Sequence, residues 1–250
     1  VFKAARYIVQ SAENISVKEG LQLAEQVRRA AIKNRASNDH SESIIGKTLA
    51  GVPLAGHRHA HYFATDEDRN QTVDHLTIYA PRGFDEGDVD ALKSIRSVSL
   101  PQRRLRVGVR LLGIGVPSSY AATIFGEARR WRSVTPFSLP RFPNRGGGKP
   151  PRPRDLPEGQ LRREIRLRGL PEPVSIKSLD GYAVPGRPGI PWAAFEATRY
   201  NGTRGNGLAG FEIEFAEPVR GPISLGFACH FGLGLFLPVD PEKVESDIRG

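Results

Sequence analysis

Hydrophobic positions along the first half of the chain change period repeatedly, and each change predicts an element. Ala4 to Gln10 reads as a strand. Ser16-Val17-Lys18-Glu19 has the spacing of a capping box, and behind it Leu21, Leu23, Ala24, Val27 and Ala31 recur at helical spacing. Asn38 to Ser43 is polar loop. Gly56 to Tyr62 predicts a second strand and, after a loop from Thr65 to Thr72, His75 to Tyr79 a third. In the latter, Leu76 and Ile78 face one way and His75, Thr77 and Tyr79 the other. Pro81 and Gly83 end this hairpin. Asp85 to Arg96 then carries Val89, Leu92 and Ile95 at helical spacing, and Leu105, Val107, Val109 and Leu111 alternate with Arg106, Gly108 and Arg110 in a fourth strand. The order is βαββαβ, an α+β unit. Two helices on one face of four strands leave the other face open to hold polar residues and to bind RNA as an RRM-type sheet does.

The second half predicts a degenerate copy of the same order. A strand near Ser133 to Leu139 precedes a helix from Glu158 to Arg168, which Gly169 and Pro171 stop. Strands follow at Val174 to Ser178, Phe195 to Tyr200, Phe211 to Glu217 and Gly234 to Val239. The expected division is a first domain over 1–116 and a second over 117–250.

Length and composition narrow the class. At 250 residues and 39% hydrophobic content the chain can pack a core. No apolar run approaches the roughly 18 to 20 residues that span a bilayer, and the amino terminus lacks a signal-peptide layout, so a cytoplasmic protein without membrane association is expected. A start at Val1 and the lack of methionine point to a fragment. The single Cys229 can neither pair internally nor build a thiolate metal site alone. The net charge of +9 is concentrated: Glu127 to Leu170 holds twelve Arg or Lys, eleven of them Arg, against four acidic residues. Arginine suits paired hydrogen bonds to phosphate, so this segment is an electrostatic footprint for nucleic acid, although Pro143 to Pro157 reads as solvated linker.

Four of the six histidines lie between His57 and His75. On a strand, His57, His59 and His61 share one face. Such a face can ligate zinc, transfer protons without a metal, or pack as polar strand residues, and the sequence leaves all three open. Asp66 to Asp74 imitates the start of a calcium loop, but Gln71 stands where the turn glycine belongs and Thr77 where the bidentate Glu belongs, so a solvated acidic loop is expected. Gly146-Gly147-Gly148-Lys149-Pro150 is not a phosphate-binding P-loop, and Gly113-Ile114-Gly115 is too short for a dinucleotide fingerprint. The glycines from Gly221 to Gly234 either bring the backbone close to a phosphate or make a packed turn before the last strand. Arg58, Arg106, Arg110, Arg129, Arg130 and Arg132 can neutralise phosphates, and Tyr62, Tyr79 or Phe231 can stack a base.

Taken together, GHRHAHYFATDEDRNQTVDHLTIYAPRGF, the strand from Trp131 to Pro140, QLRREIRLRGLPEPVSI and GPISLGFACHFGLGLFLP resemble the carboxy-terminal half of the fused capping and processing subunit of type I-G (formerly I-U) CRISPR systems. That half is similar to the Cas-six class of crRNA-processing endoribonucleases in the RAMP superfamily. The resemblance implies tandem ferredoxin-like (RRM-like) folds, with the superfamily's Gly-rich loop on Gly226, Gly232 and Gly234. It implies cleavage of CRISPR repeat RNA with no metal or other cofactor, by ribose 2′-OH attack that leaves 2′,3′-cyclic phosphate and 5′-OH ends. Retention of the crRNA 3′ handle and association with other subunits of a type I surveillance complex are expected with it; the alternative readings are a non-catalytic RNA-binding scaffold subunit of such a complex and a metal-dependent hydrolase using His57, His59 and His61. The catalytic candidates the resemblance carries over are His57 and His59, then His61, with His230 as a partner across the two folds.

Overall fold

In the computed structural model, residues 1–35, 41–48, 50–52, 54, 56, 58–143 and 150–239 are described. They divide into two compact units, Val1–Tyr120 with His230–Gly232, and Ala121–Cys229 with the residues from Leu233 on.

The first unit opens on β1 (Ala4–Gln10). Ser16 and Glu19 form the expected capping box, which starts a one-turn 3-10 helix, Val17–Glu19, leading into α1 (Gly20–Asn34). Leu21, Leu23, Ala24, Val27 and Ala31 are all buried on α1, as its helical spacing requires. The hairpin follows as β2 (His61–Thr65) and β3 (His75–Tyr79), then α2 (Glu86–Lys93) behind an Asp85 capping box. β4 (Ser97–Leu100) and β5 (Leu105–Gly115) close the unit. The sheet order is β2-β3-β1-β5-β4, and each neighbouring pair is antiparallel. Without the edge strand β4, which the sequence pattern does not predict, the order β2-β3-β1-β5 is that of a ferredoxin-like βαββαβ fold. Tyr7 points to the helical face, where its hydroxyl donates to the Leu92 carbonyl at 2.8 Å. Arg6, its neighbour, points to the other face.

The expected His-rich strand from Gly56 is corrected. Extended pairing begins only at His61, because the chain just before it bonds elsewhere: Ala60 N donates to the Ser43 carbonyl at 2.8 Å, in the turn that precedes it. His59 therefore lies in a bend ahead of the strand, and His57 lies outside the described residues.

The second unit repeats the order without a second long helix among the described residues. Its elements are β6 (Glu127–Ser133), β7 (Phe137–Ser138), α3 (Pro157–Leu167) and β8 (Ser175–Leu179). A small pair, β9 (Gly181–Tyr182) and β10 (Ile190–Pro191), comes next. The unit ends with β11 (Leu208–Arg220), β12 (Ile223–Ser224) and β13 (Leu235–Pro238). β13 pairs with β6, β6 with β11, and β11 with β8, all antiparallel. The order β13-β6-β11-β8 is ferredoxin-like again, so the chain is an α+β protein of two tandem ferredoxin-like folds. Trp131, Phe137, Leu161, Ile165, Phe211 and Phe236 form the centre of the second core.

The expected strand at Phe195 to Tyr200 is absent. The Phe195 ring instead packs on Trp192, centroids 5.6 Å apart, and the Glu196 carboxylate accepts from Thr198 N at 2.7 Å, a local bond that replaces a ladder bond. No helix among the described residues is long and apolar enough to cross a membrane.

Candidate active site

Three of the four candidate histidines meet within the first unit. His230 lies in a 3-10 turn, Cys229–Phe231. Its ring stacks on His59 with centroids 3.6 Å apart and planes 19° from parallel. On His61 the centroid distance is 4.1 Å at 39°, and Phe63 flanks His61 at 5.7 Å. His61 and His230 are only 6% and 9% exposed, whereas His59 is half-buried. Sequence spacing alone does not mark Gly46 as part of this site, yet a Cβ there would stand 3.3 Å from that of His59, so its missing side chain lets the Gly46 turn lie against the imidazole.

Beside the cluster, the ring of Phe231 lies near Tyr62, centroids 6.3 Å apart, with the Arg28 guanidinium 6.0 Å from the Phe231 centroid. Both rings are buried, which makes them core, not base-stacking platforms. Burial pushes the Tyr62 phenol well above its ordinary pKa, so it stays protonated. Burial likewise raises Cys229, against the opposing effect of Arg168, whose Nη2 donates to Sγ at 3.2 Å. Cys229 is a packed thiol and not an activated nucleophile.

The candidate arginines separate into two groups. Arg106 and Arg110 are exposed on β5, alternating with buried Val107 and Val109. Arg110 pairs in register with Ile8, so both arginines lie on the sheet face opposite the helices. Arg6 shares that face but is taken up by a two-bond pair to Glu67, 2.9 Å for each bond, with Thr77 at 3.1 Å. Arg58 is exposed. On β6, Arg132 is bound to Glu212 at 2.7 Å and Arg129 to Glu217 at 3.4 Å, while Arg130 is half-buried. Charges already paired across strands have less to offer a phosphate.

The glycine-rich segment is tightly packed. A Cβ at Gly226 would come within 2.6 Å of the Ser138 carbonyl oxygen, at Gly232 within 3.3 Å of that of Tyr62, and at Gly234 within 1.9 Å of that of Leu225. The acidic loop is also internally employed: Asp66 accepts from Asn70 N and Gln71 N, and Asp74 from Glu67 N and Asp68 N. Its carboxylates Asp66, Asp68 and Asp74 lie close together, but their oxygens order the turn.

No protein-family model matches the chain, and no curated protein does. Solved structures similar to it include a CRISPR associated protein Cas6, at 10% identity over 96% of this chain and 100% of that one, TM-score 0.46. The product of a Cas6-related gene from Pyrococcus furiosus is similar at 11% identity over 96% of this chain and 100% of that one, TM-score 0.47. Csf5, a type IV CRISPR-Cas Cas6 crRNA endonuclease, is similar at 11% identity, covering 96% and 99%, TM-score 0.37.

Three imidazoles in contact have a definite chemistry. Two positive charges about 4 Å apart repel by roughly 4 kcal/mol at an effective dielectric of about 20. Protonating one ring therefore disfavours protonating its neighbour. A neutral imidazole accepts a proton and an imidazolium donates one, so such a cluster has the groups that proton transfer needs. The His59 and His230 rings meet face to face, whereas a shared metal ion is bound through ring nitrogens in the ring plane.

Proposed function

We propose that this chain is a CRISPR repeat RNA-processing endoribonuclease domain that cuts without a metal and keeps hold of the crRNA it produces. The observation that carries this reading is the packing of His59 against His230, with His61 also against His230. His59, the ring of the three with most access to solvent, takes the proton from a ribose 2′-OH. The freed 2′-oxygen attacks the adjacent phosphorus, the bond from phosphorus to the 5′-oxygen breaks, and an imidazolium of the cluster returns a proton to that leaving oxygen. The products are a 2′,3′-cyclic phosphate and a 5′-OH, with no net proton consumed. His61 and His230 position His59 and share its charge, and His57 is a further candidate for the donor.

Phosphate contacts come from Arg58, Arg106 and Arg110, which position RNA without reading its sequence. A guanidinium near the reacting phosphate also stabilises the charge that builds up in the transition state. Arg129 and Arg132 contribute where RNA displaces their carboxylate partners, and Arg130 lies between them on the same strand. The loop of Gly226, Gly232 and Gly234 serves RNA by fixing His230. The resemblance to the type I-G fused subunit adds the remaining partners, the other subunits of a type I surveillance complex.

A repeat RNA carrying one 2′-deoxyribose on the 5′ side of the cut phosphate tests the nucleophile. It is expected to bind the chain as the unmodified RNA does and to remain uncut; cleavage at the same phosphate would rule out 2′-OH attack.

A further inference from the structure

The second unit holds a cavity of about 600 Å³ that no candidate residue named so far lines. Its walls are the chain just after β7, the 3-10 turn Pro153–Asp155 and one face of α3. Four arginines line it, Arg141, Arg154, Arg163 and Arg166, against two acidic residues, Asp155 and Glu164. All four arginines are exposed. Arg163 and Arg166 lie three residues apart on α3 and therefore on neighbouring positions of one helix face. In contrast to Arg132 and Arg162, which are tied to glutamates, Arg141, Arg163 and Arg166 have no ion-pair partner among the described residues.

The site is built from the inside. Gln160 is 2% exposed and makes three hydrogen bonds: its Oε1 accepts from Arg141 N at 3.0 Å, and its Nε2 donates to the carbonyls of Arg141 at 3.1 Å and Asp155 at 2.8 Å. One buried amide thus fixes the backbone that carries Arg141 and the turn that carries Arg154 to the helix that carries the other two. Gly159 permits the approach, since a Cβ there would stand 2.2 Å from the Pro153 carbonyl oxygen. Holding guanidinium forks on a rigid frame lowers the entropy lost when they bind.

We propose that this cavity is a phosphate-binding groove for an RNA backbone, separate from the imidazole cluster. The proposal rests on the RNA-processing reading only for the identity of its ligand. A net positive lining with forked donors selects phosphodiester oxygens, and the 70% exposed ring of Phe142, next to Arg141, offers a base a stacking surface that free phosphate would not use.

Binding of a fluorescent repeat RNA made uncleavable by the single 2′-deoxyribose tests it, whether or not the chain cuts RNA. In the full chain, Arg163→Ala/Arg166→Ala is expected to weaken binding at least about tenfold and to lower the salt slope of log affinity by roughly 1.4, from ~0.7 for each phosphate no longer neutralised. Glu164→Gln, which removes a negative charge from the same wall, is expected to tighten binding. Arg220→Ala, whose guanidinium is paired with Glu127 at 2.8 Å, is expected to change little. Unchanged affinity and slope in the double variant would overturn the proposal, as would an equal loss in Arg220→Ala, which would reduce it to net charge. Pyrophosphate bound by the parent chain while RNA affinity survives the double substitution would overturn the RNA assignment.

Discussion

Replacing His59 with alanine is expected to lower the single-turnover rate of repeat RNA cleavage by roughly 10²- to 10⁴-fold, the usual contribution of a positioned acid or base. RNA affinity should stay within several-fold, because phosphate contacts carry most of the binding. The separation follows from geometry. His59 is half-buried at the edge of a stack whose other members are over 90% buried, so its loss removes the ring that RNA can reach without removing core. Gel analysis of cleavage alongside anisotropy of binding resolves the two effects. Parallel losses of rate and affinity would make His59 a binding residue, and an undiminished rate would move the chemistry away from this stack.

The second large effect is on folding. Gly234 has φ +63, a conformation that costs an L residue about 1 to 2 kcal/mol. An added Cβ there would stand 1.9 Å from the Leu225 carbonyl oxygen. That oxygen cannot retreat freely, because Leu225 N donates to the Gly234 carbonyl at 3.0 Å and fixes the same strand approach. Gly234→Ala is therefore expected to destabilise the protein by ~3 kcal/mol, strain and overpacking together. Chemical denaturation measures this directly. If stability were unchanged and only RNA affinity fell, the glycine would be serving a phosphate and not the protein backbone.

The parts of the fold that were legible are those in which one local signal dominates. β1 and the Ser16 capping box occur as the sequence spells them, because an apolar strand and a side-chain cap need no distant partner to be recognised. The burial of Leu21 through Ala31 follows from helical period alone. What failed depended on partners far along the chain. β6 begins at Glu127, earlier than expected, because its arginines read as a basic patch; in the fold they lie along a strand, where Arg132 meets Glu212 and Arg129 meets Glu217 across it. His57, His59 and His61 alternate in sequence, yet the turn at Ser43 captures Ala60 and delays the strand. The family resemblance names His230 as a partner, but its stacking on that bend is a tertiary contact that no local pattern encodes. The groove on α3 takes its Arg154 wall from a segment whose composition reads as solvated linker, and the buried Gln160 ties that wall to the helix.

Metal-free cleavage is tested by incubating the purified chain with its cognate repeat RNA in excess EDTA and mapping both product ends. A single cut leaving a 2′,3′-cyclic phosphate and a 5′-OH, undiminished by the chelator, is the expected result. Tight binding with no cut, or cutting that EDTA abolishes and added metal restores, would contradict it.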